Sequence, residues 1–276
     1  MSCNFSHTGR IASFLREVFG LTPSEGSLVN WVNEAKRNAQ PVIDKIKEYI
    51  KSSAVVGFDE SGLYCNKRLD WAWIAQTVYY TLLFRAEGRG SKVLADKFGD
   101  SLERMTAVTD RHSAYFALHF LNHQVCLAHL LRELQYLSEL NTEQEWSGKV
   151  TNLFREAIHE RNTNPNDVID KVSWTRRLDN LLKQNIEEHG KKFITFKKGL
   201  AKCRDYIFNF LENPMIPSDN NESERRIRKL KIKLKNSCTF RSNFGADAFL
   251  ELHSIVETAK KHDKTPYNAI QALFKV

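Results

Sequence analysis

Between Ala54 and Cys126 the chain carries five separated runs of the kind that form strands, and beyond Leu127 it carries almost none. The runs are Ala54-Val-Val-Gly-Phe-Asp-Glu-Ser61, Leu69 to Thr77, Tyr79 to Ala86, Met105 to Asp110 and His123 to Cys126. They are rich in β-branched and aromatic residues and bounded by turn formers, with Cys65-Asn-Lys-Arg68 as a turn between the first two. Three strands in succession predict an antiparallel meander, with Ser91 to Phe98 as a short helix before the fourth run. Strands first and helices after predict an α/β fold with a mixed five-stranded sheet.

Helical periodicity flanks this block. From Arg10 to Tyr49, Ile11, Phe14 and Val18 share one face and Leu28, Trp31, Val32 and Ala35 another, with Gly20, Pro23 and Gly26 between them. That predicts two short helices and a turn, a spacing that plain helical hairpins share with DNA-reading helix-turn-helix units. On the far side, Phe193, Phe196, Leu200, Cys203, Ile207 and Phe210 alternate spacings of three and four, as one buried stripe does. Residues 141–214 read as a helical insertion ending in the loop Asn213-Pro-Met-Ile-Pro217.

That loop leads into the strongest charge feature. Asp219-Asn-Asn-Glu-Ser-Glu224 is followed by Arg225, Arg226, Arg228, Lys229, Lys231, Lys233, Lys235 and Arg241 with no acid among them. Across the 276 residues, 41 Lys and Arg exceed 33 Asp and Glu by eight, so this one segment matches the net charge of +8. Carboxylates beside a concentrated positive field suit a metal-dependent enzyme acting on a polyanion, although a solvated charged surface looks the same in sequence. With a pI near 9.2 and no basic amphipathic membrane helix, the favoured polyanion is nucleic acid. No apolar run reaches the length of a membrane span, and Met1 to Ala12 has no apolar signal core, which predicts a cytoplasmic protein without a membrane partner. Five scattered cysteines, Cys3, Cys65, Cys126, Cys203 and Cys238, predict reduced thiols.

Two further acids stand at the edge of apolar strands: Asp59 after Val55-Val-Gly-Phe58 and Asp110 after Met105-Thr-Ala-Val-Thr109. An ionised acid there is costly unless a cation offsets it. With Glu224 early in a helix, the three fit a pair of divalent metals about 4 Å apart that serves in-line phosphodiester attack, and hard oxygen donors suit Mg²⁺ or Mn²⁺. Each acid also has a local use. Asn221 and Glu224 match a capping box, and aspartates start turns. The alternating Lys229-Leu-Lys-Ile-Lys-Leu-Lys235 reads as strand, which predicts a short helix around Glu224. His119, His123, Cys126 and His129 have spacings open to zinc, in a segment that mixes strand and helix and so need not gather them. No glycine-flanked serine elbow and no phosphate-cradling glycine loop is present.

Five motifs in order, Phe58-Asp-Glu-Ser-Gly62, Thr109-Asp-Arg-His-Ser-Ala-Tyr115, Cys126-Leu-Ala-His-Leu-Leu-Arg132, Asp219-Asn-Asn-Glu-Ser-Glu-Arg225 and Lys235-Asn-Ser237 with Arg241-Ser242, resemble the insertion-sequence 66 family of bacterial transposases. The resemblance spans roughly Arg10 to Phe274. It implies a ribonuclease H-like core (residues 53–140 and 218–276) interrupted by a helical insertion (141–217) and preceded by a helical segment (1–52). It also implies DDE chemistry, with Asp59, Asp110 and Glu224 holding Mg²⁺ or Mn²⁺. The implied substrate is double-stranded DNA, both element ends and target. Water frees a 3′ hydroxyl that then attacks the target, in a homo-oligomer on DNA and with accessory proteins of the same element as possible partners. The eight cations from Arg225 to Arg241 would line the DNA. The family usually carries an amino-terminal coiled-coil and zinc-binding region that this chain does not match, which implies end recognition from elsewhere. The alternative is a DNA-binding remnant or transposition regulator without catalysis.

Overall fold

The computed structural model of the protein describes residues 7–237 and 239–274; Cys3, Cys238 and the first six residues of the Met1 to Ala12 stretch lie outside them. In chain order the elements are helices α1 (His7–Phe19) and α2 (Glu25–Lys51), then strands β1 (Val55–Cys65), β2 (Arg68–Gln76) and β3 (Thr81–Ala86). Helix α3 (Ser91–Phe98), strand β4 (Thr106–Thr109), the one-turn α4 (Ser113–Phe116) and strand β5 (Asn122–Val125) follow. The rest is helical: α5 (Leu127–Leu140), α6 (Trp146–Thr163), α7 (Lys171–Lys183), α8 (Lys191–Cys203), α9 (Asn209–Glu212), α10 (Asn221–Ser237), α11 (Asn243–Lys261) and α12 (Pro266–Gln271). The five strands form a mixed sheet in the order β3-β2-β1-β4-β5, so the protein is α/β and mostly helical. No described helix is long and apolar enough to cross a membrane.

The chain divides into two compact units, and the division falls inside β1. The first unit comprises the residues up to Ser53, Asp59–Val93 and those from Glu222 onward. Here β1 turns into β2 at Asn66 and Lys67, both left-handed (φ 48° and 62°), the backbone that a two-residue hairpin demands. Strand β2 pairs antiparallel with β3 from Trp71↔Ala86 to Gln76↔Thr81. The edge of β3 is satisfied by α11: Ser254 Oγ accepts from Leu83 N at 2.8 Å and Thr258 Oγ1 accepts from Thr81 N at 3.0 Å. A core of Leu63, Ala72, Ile74, Leu83, Ile227, Leu230, Phe240 and Leu250 joins these strands to α10 and α11.

Two expectations fail in this unit. The second amino-terminal helix is not short: α2 runs 27 residues, with Gly26 in its first turn and Pro41 inside it. Its buried positions Leu28, Ala35, Ala39, Ile43, Ile46 and Ile50 keep helical spacing on both sides of the proline, and Ser24 caps the start through Ser27 N at 3.0 Å. Of the faces read in sequence, Leu28 and Ala35 are buried while Ile11, Phe14, Val18, Trp31 and Val32 are exposed. The second failure is the strand expected at Lys229–Lys235, which is part of the 17-residue α10. Its apolar residues fit both periods. Ile227, Leu230 and partly buried Leu234 form a helical stripe, while Ile232, which only the alternating pattern needs inside, is 54% exposed.

The second unit comprises Ala54–Phe58 and Leu94–Asn221. The start of β1 pairs in parallel with β4 (Val55↔Thr106, Val56↔Ala107, Gly57↔Val108), and β4 pairs in parallel with β5 (Thr106↔Asn122 to Thr109↔Val125). Val108 and Val125 share a core with the helices that follow, among them Leu130 and Leu134 of α5 and Phe154 of α6. The predicted stripe from Phe193 to Phe210 is buried throughout, but not on one helix: α8 ends at Cys203, and a 3₁₀ turn over Arg204–Tyr206 precedes α9. Arg204 pairs with Asp179 there at 2.8 Å and 3.0 Å.

Candidate active site and nucleic-acid interface

Asp59 lies within β1 rather than at its end, because the strand continues to Cys65. It is half-buried, and its Oδ1 accepts from Glu60 N at 2.8 Å. The neighbouring Phe58 is fully buried, with its ring 5.6 Å from Phe98 and 6.0 Å from Phe120. The Glu60 side chain, also fully buried, accepts from Arg89 at 2.6 Å, and that guanidinium sits 4.8 Å over the Trp71 ring. Glu60 therefore has a structural partner of its own.

Asp110 follows directly on β4, and its Oδ1 accepts from His112 N at 2.8 Å. The turn role foreseen for an aspartate is thus present and fixes the carboxylate. Just before it, Thr109 Oγ1 hydrogen-bonds His123 Nε2 at 2.7 Å. Burial brings His123 down to about 4, so its ring is neutral at physiological pH. It packs against Phe116, Phe120 and Tyr206. His119 is exposed and His129 faces the pocket beside Asp110. Among the described residues no group of three or more His, Cys, Asp or Glu side chains is placed to hold a metal ion, and this applies to the histidine-cysteine cluster as well as to the acids.

Cys126 and Asn220 have a structural part that the sequence did not reveal. Within the second unit, Asn220 Nδ2 donates to the carbonyl of Phe58 at 2.7 Å, and Asn220 N donates to Cys126 Sγ at 3.1 Å. Leu127 N adds a bond to Ser218 O at 2.9 Å. The loop that leads into α10 is thereby tied to the residue before Asp59 and to the end of β5, while Cys126 N bonds Thr109 O at 2.8 Å. Burial pushes the Cys126 thiol up to about 11, so it serves here as a neutral acceptor. Cys65 and Cys203 are likewise free buried thiols.

Helix α10 begins at Asn221, whose amide donates to Asp219 Oδ1 at 2.9 Å, an Asx turn that leads the chain into the helix. Glu224 is half-buried in the first turn. The basic residues of the segment separate into two sets. Arg226 pairs with Glu222 at 3.0 Å and with the fully buried carboxylate of Glu257, which also receives Lys229 at 2.6 Å and Lys260 at 2.8 Å. Lys233 lies 4.7 Å over the Phe240 ring and 5.4 Å over Phe249, and burial lowers its pKa. Burial alone would raise the Glu257 carboxyl, but hydrogen bonds from Lys229, Lys260 and Arg226 outweigh it and bring it to about 2. Arg225, Arg228, Lys231 and Lys235 are exposed, as is Arg241 beyond the helix. At 100° per residue, Arg228, Lys231 and Lys235 fall within about 40° of Glu224 on α10, beside the stripe of Ser223, Ile227, Leu230 and Leu234.

A second basic stretch escaped the sequence reading. From Lys191 to Arg204 there are six cations and no acid, five of them on α8. The signal was present, but nearby acids cancel it in any count of whole-chain charge.

The family described as Transposase IS66 family matches residues 5–248, a span that contains Asp59, Asp110, Glu224 and all eight cations from Arg225 to Arg241. A search of curated proteins finds no match.

Proposed function

The chain belongs to the Transposase IS66 family, and from that premise we propose that it is a metal-dependent DNA transposase with a ribonuclease H-like core. In this reading Asp59, Asp110 and Glu224 are the metal-holding carboxylates. The observation that carries it is the double anchoring of Asn220, four residues before Glu224, to the carbonyl of Phe58 and the thiol of Cys126. The donor set is hard oxygen, as Mg²⁺ or Mn²⁺ requires, and Asp110 has a second carboxylate oxygen beyond the one held by His112.

The reaction is phosphodiester exchange at the ends of a mobile DNA element. Water oxygen bonds to phosphorus, the bond from phosphorus to the 3′ oxygen breaks, and a 3′ hydroxyl and a 5′ phosphate result. That 3′ hydroxyl then attacks a target phosphodiester, forming one phosphorus–oxygen bond as another breaks. A bound divalent cation would supply charge stabilisation at the phosphoryl oxygens. The exposed Arg225, Arg228, Lys231, Lys235 and Arg241 hold duplex phosphates, while Arg226, Lys229 and Lys233, also in the basic segment, contribute less because Glu257, Glu222 and the two phenylalanine rings engage them.

A rival reading, a DNA-binding remnant or transposition regulator, is favoured by the absence of a three-ligand group among the described residues. One experiment separates the two. Duplex carrying an element end is incubated with Mg²⁺ and the wild-type protein, Asp59→Asn, Asp110→Asn or Glu224→Gln. The proposal expects wild-type cleavage and a loss of at least about a hundredfold in each variant, equivalent to about 3 kcal/mol, with duplex affinity nearly unchanged. Binding without any cleavage by the wild type establishes the rival. A variant that cleaves normally removes that residue from the metal site.

A further inference from the structure

Within the second unit, Asp110 stands at the lip of a pocket of about 1110 Å³, walled by the Asp110–Phe116 connection, α5 and α8. Arg111 is paired with Glu133 at 2.5 Å, which leaves Lys191, Lys192 and Lys202 against Asp110, so its ligand is anionic. The cations alternate with aromatic rings: Arg111 lies 4.8 Å over Phe196, and Lys192 lies 4.7 Å over Tyr136 and bonds its hydroxyl. Phe116 is 38% exposed at the same wall. Glycine at 199 permits this arrangement, because a Cβ there would stand 2.5 Å from Arg111 Nη1. Lys191, Lys192 and Lys202 are exposed and lie on α8, outside the basic segment of α10.

Charge interleaved with aromatic faces is the composition of single-strand binding grooves, in which lysines follow phosphates and rings receive bases. At about 1110 Å³ it is slightly larger than a typical small-ligand site of about 300–1,000 Å³, room for unpaired nucleotides rather than for a duplex. We propose that this pocket binds unpaired nucleotides of one DNA strand, next to the phosphodiester presented to Asp110. Lys191 and Lys202 hold the phosphates and Phe116 receives a base, while Lys192 is engaged by the ring and hydroxyl of Tyr136. The position of these nucleotides relative to the cleaved bond rests on the function proposed above; their binding does not.

The test is fluorescence anisotropy with a 5′-labelled oligothymidylate and, in parallel, a duplex of the same length, over a salt series. Replacing Lys191 and Lys202 together by Gln should lower the single-strand slope of log affinity against log salt by about 1.4, at about 0.7 per phosphate, and leave the duplex slope nearly unchanged. Thr195→Trp, at an exposed position of α8 in the same wall, should weaken single-strand binding at least tenfold without changing the slope. Circular dichroism confirms the fold of each variant. Single-strand binding that neither variant affects overturns the proposal, and so does an equal loss for duplex and single strand. The outcome is independent of cleavage: a wild type that never cleaves, yet loses single-strand affinity in the lysine variant, defeats the transposase reading and leaves the pocket standing.

Discussion

Glu257 gathers three cations of two helices on one buried carboxylate. Its carboxylate is fully buried and receives Arg226, Lys229 and Lys260, which bring it to about 2 from an ordinary 4.5. A depressed carboxyl contributes stability that is fully present above its unfolded value and lost as pH falls through its folded value. The difference corresponds to about 3 kcal/mol at pH 7, falling to about 1.5 kcal/mol at pH 3. Glu257→Gln keeps the volume, removes the charge and leaves three cations facing a neutral amide. Urea denaturation of wild type and variant should therefore differ by about 3 kcal/mol at pH 7, with the gap roughly halved at pH 3. The same variant releases Lys229, while Arg226 keeps its pair with Glu222, so the salt dependence of duplex binding should steepen by about 1 unit. A gap below about 1 kcal/mol at pH 7, or one that does not change between pH 7 and pH 3, refutes the reasoning.

Replacing Arg225, Arg228, Lys231 and Lys235 by Ala should flatten the duplex salt slope by about 3 to 4 units, whereas Lys229→Ala with Lys233→Ala should change it by less than about 1; equal effects would mean that the ion pairs and ring contacts do not withhold these lysines. Asn220→Ala removes the bond to Phe58 O, and should cost about 1 to 2 kcal/mol in denaturation and lower strand cleavage at least tenfold at unchanged duplex affinity, as normal cleavage would contradict. Cys126 and Cys203, buried and pushed up to about 11, should resist iodoacetamide at pH 7.5 until the protein is denatured; peptide mass spectrometry that finds them alkylated at the rate of a free thiol would overturn their placement.

The strand block was legible because its signals are local. β-Branched and aromatic runs with a turn at Asn66-Lys67 need no knowledge of partners, and β2, β3, β4 and β5 fall within a few residues of their expected bounds. The length of α2 was not legible, because Gly20, Pro23 and Gly26 read as the punctuation of two short helices while the burial that sustains the helix depends on residues far along the chain. Helix α10 was hidden by Lys229-Leu-Lys-Ile-Lys-Leu-Lys235, where apolar residues two apart satisfy a strand pattern and two of the three also satisfy a helical one. The division of its cations could not be read at all: the carboxylate that engages Arg226 and Lys229 is Glu257, on a different helix. The same holds for Asn220, whose partners Phe58 and Cys126 are 162 and 94 residues away. Strand-edge position and the family resemblance named Asp59, Asp110 and Glu224 as candidate ligands; the bonds of Asn220 to Phe58 and Cys126 carried no signal in the sequence.

Mn²⁺ binding tests the central claim most directly, because it asks whether the three acids share an ion without requiring turnover. Free Mn²⁺ is followed by its electron paramagnetic resonance signal during titration of the protein with element-end duplex present. The account predicts that the wild type removes at least one ion per chain from solution, and that Asp59→Asn, Asp110→Asn and Glu224→Gln each weaken this binding at least tenfold. Identical Mn²⁺ binding by all four proteins would contradict it.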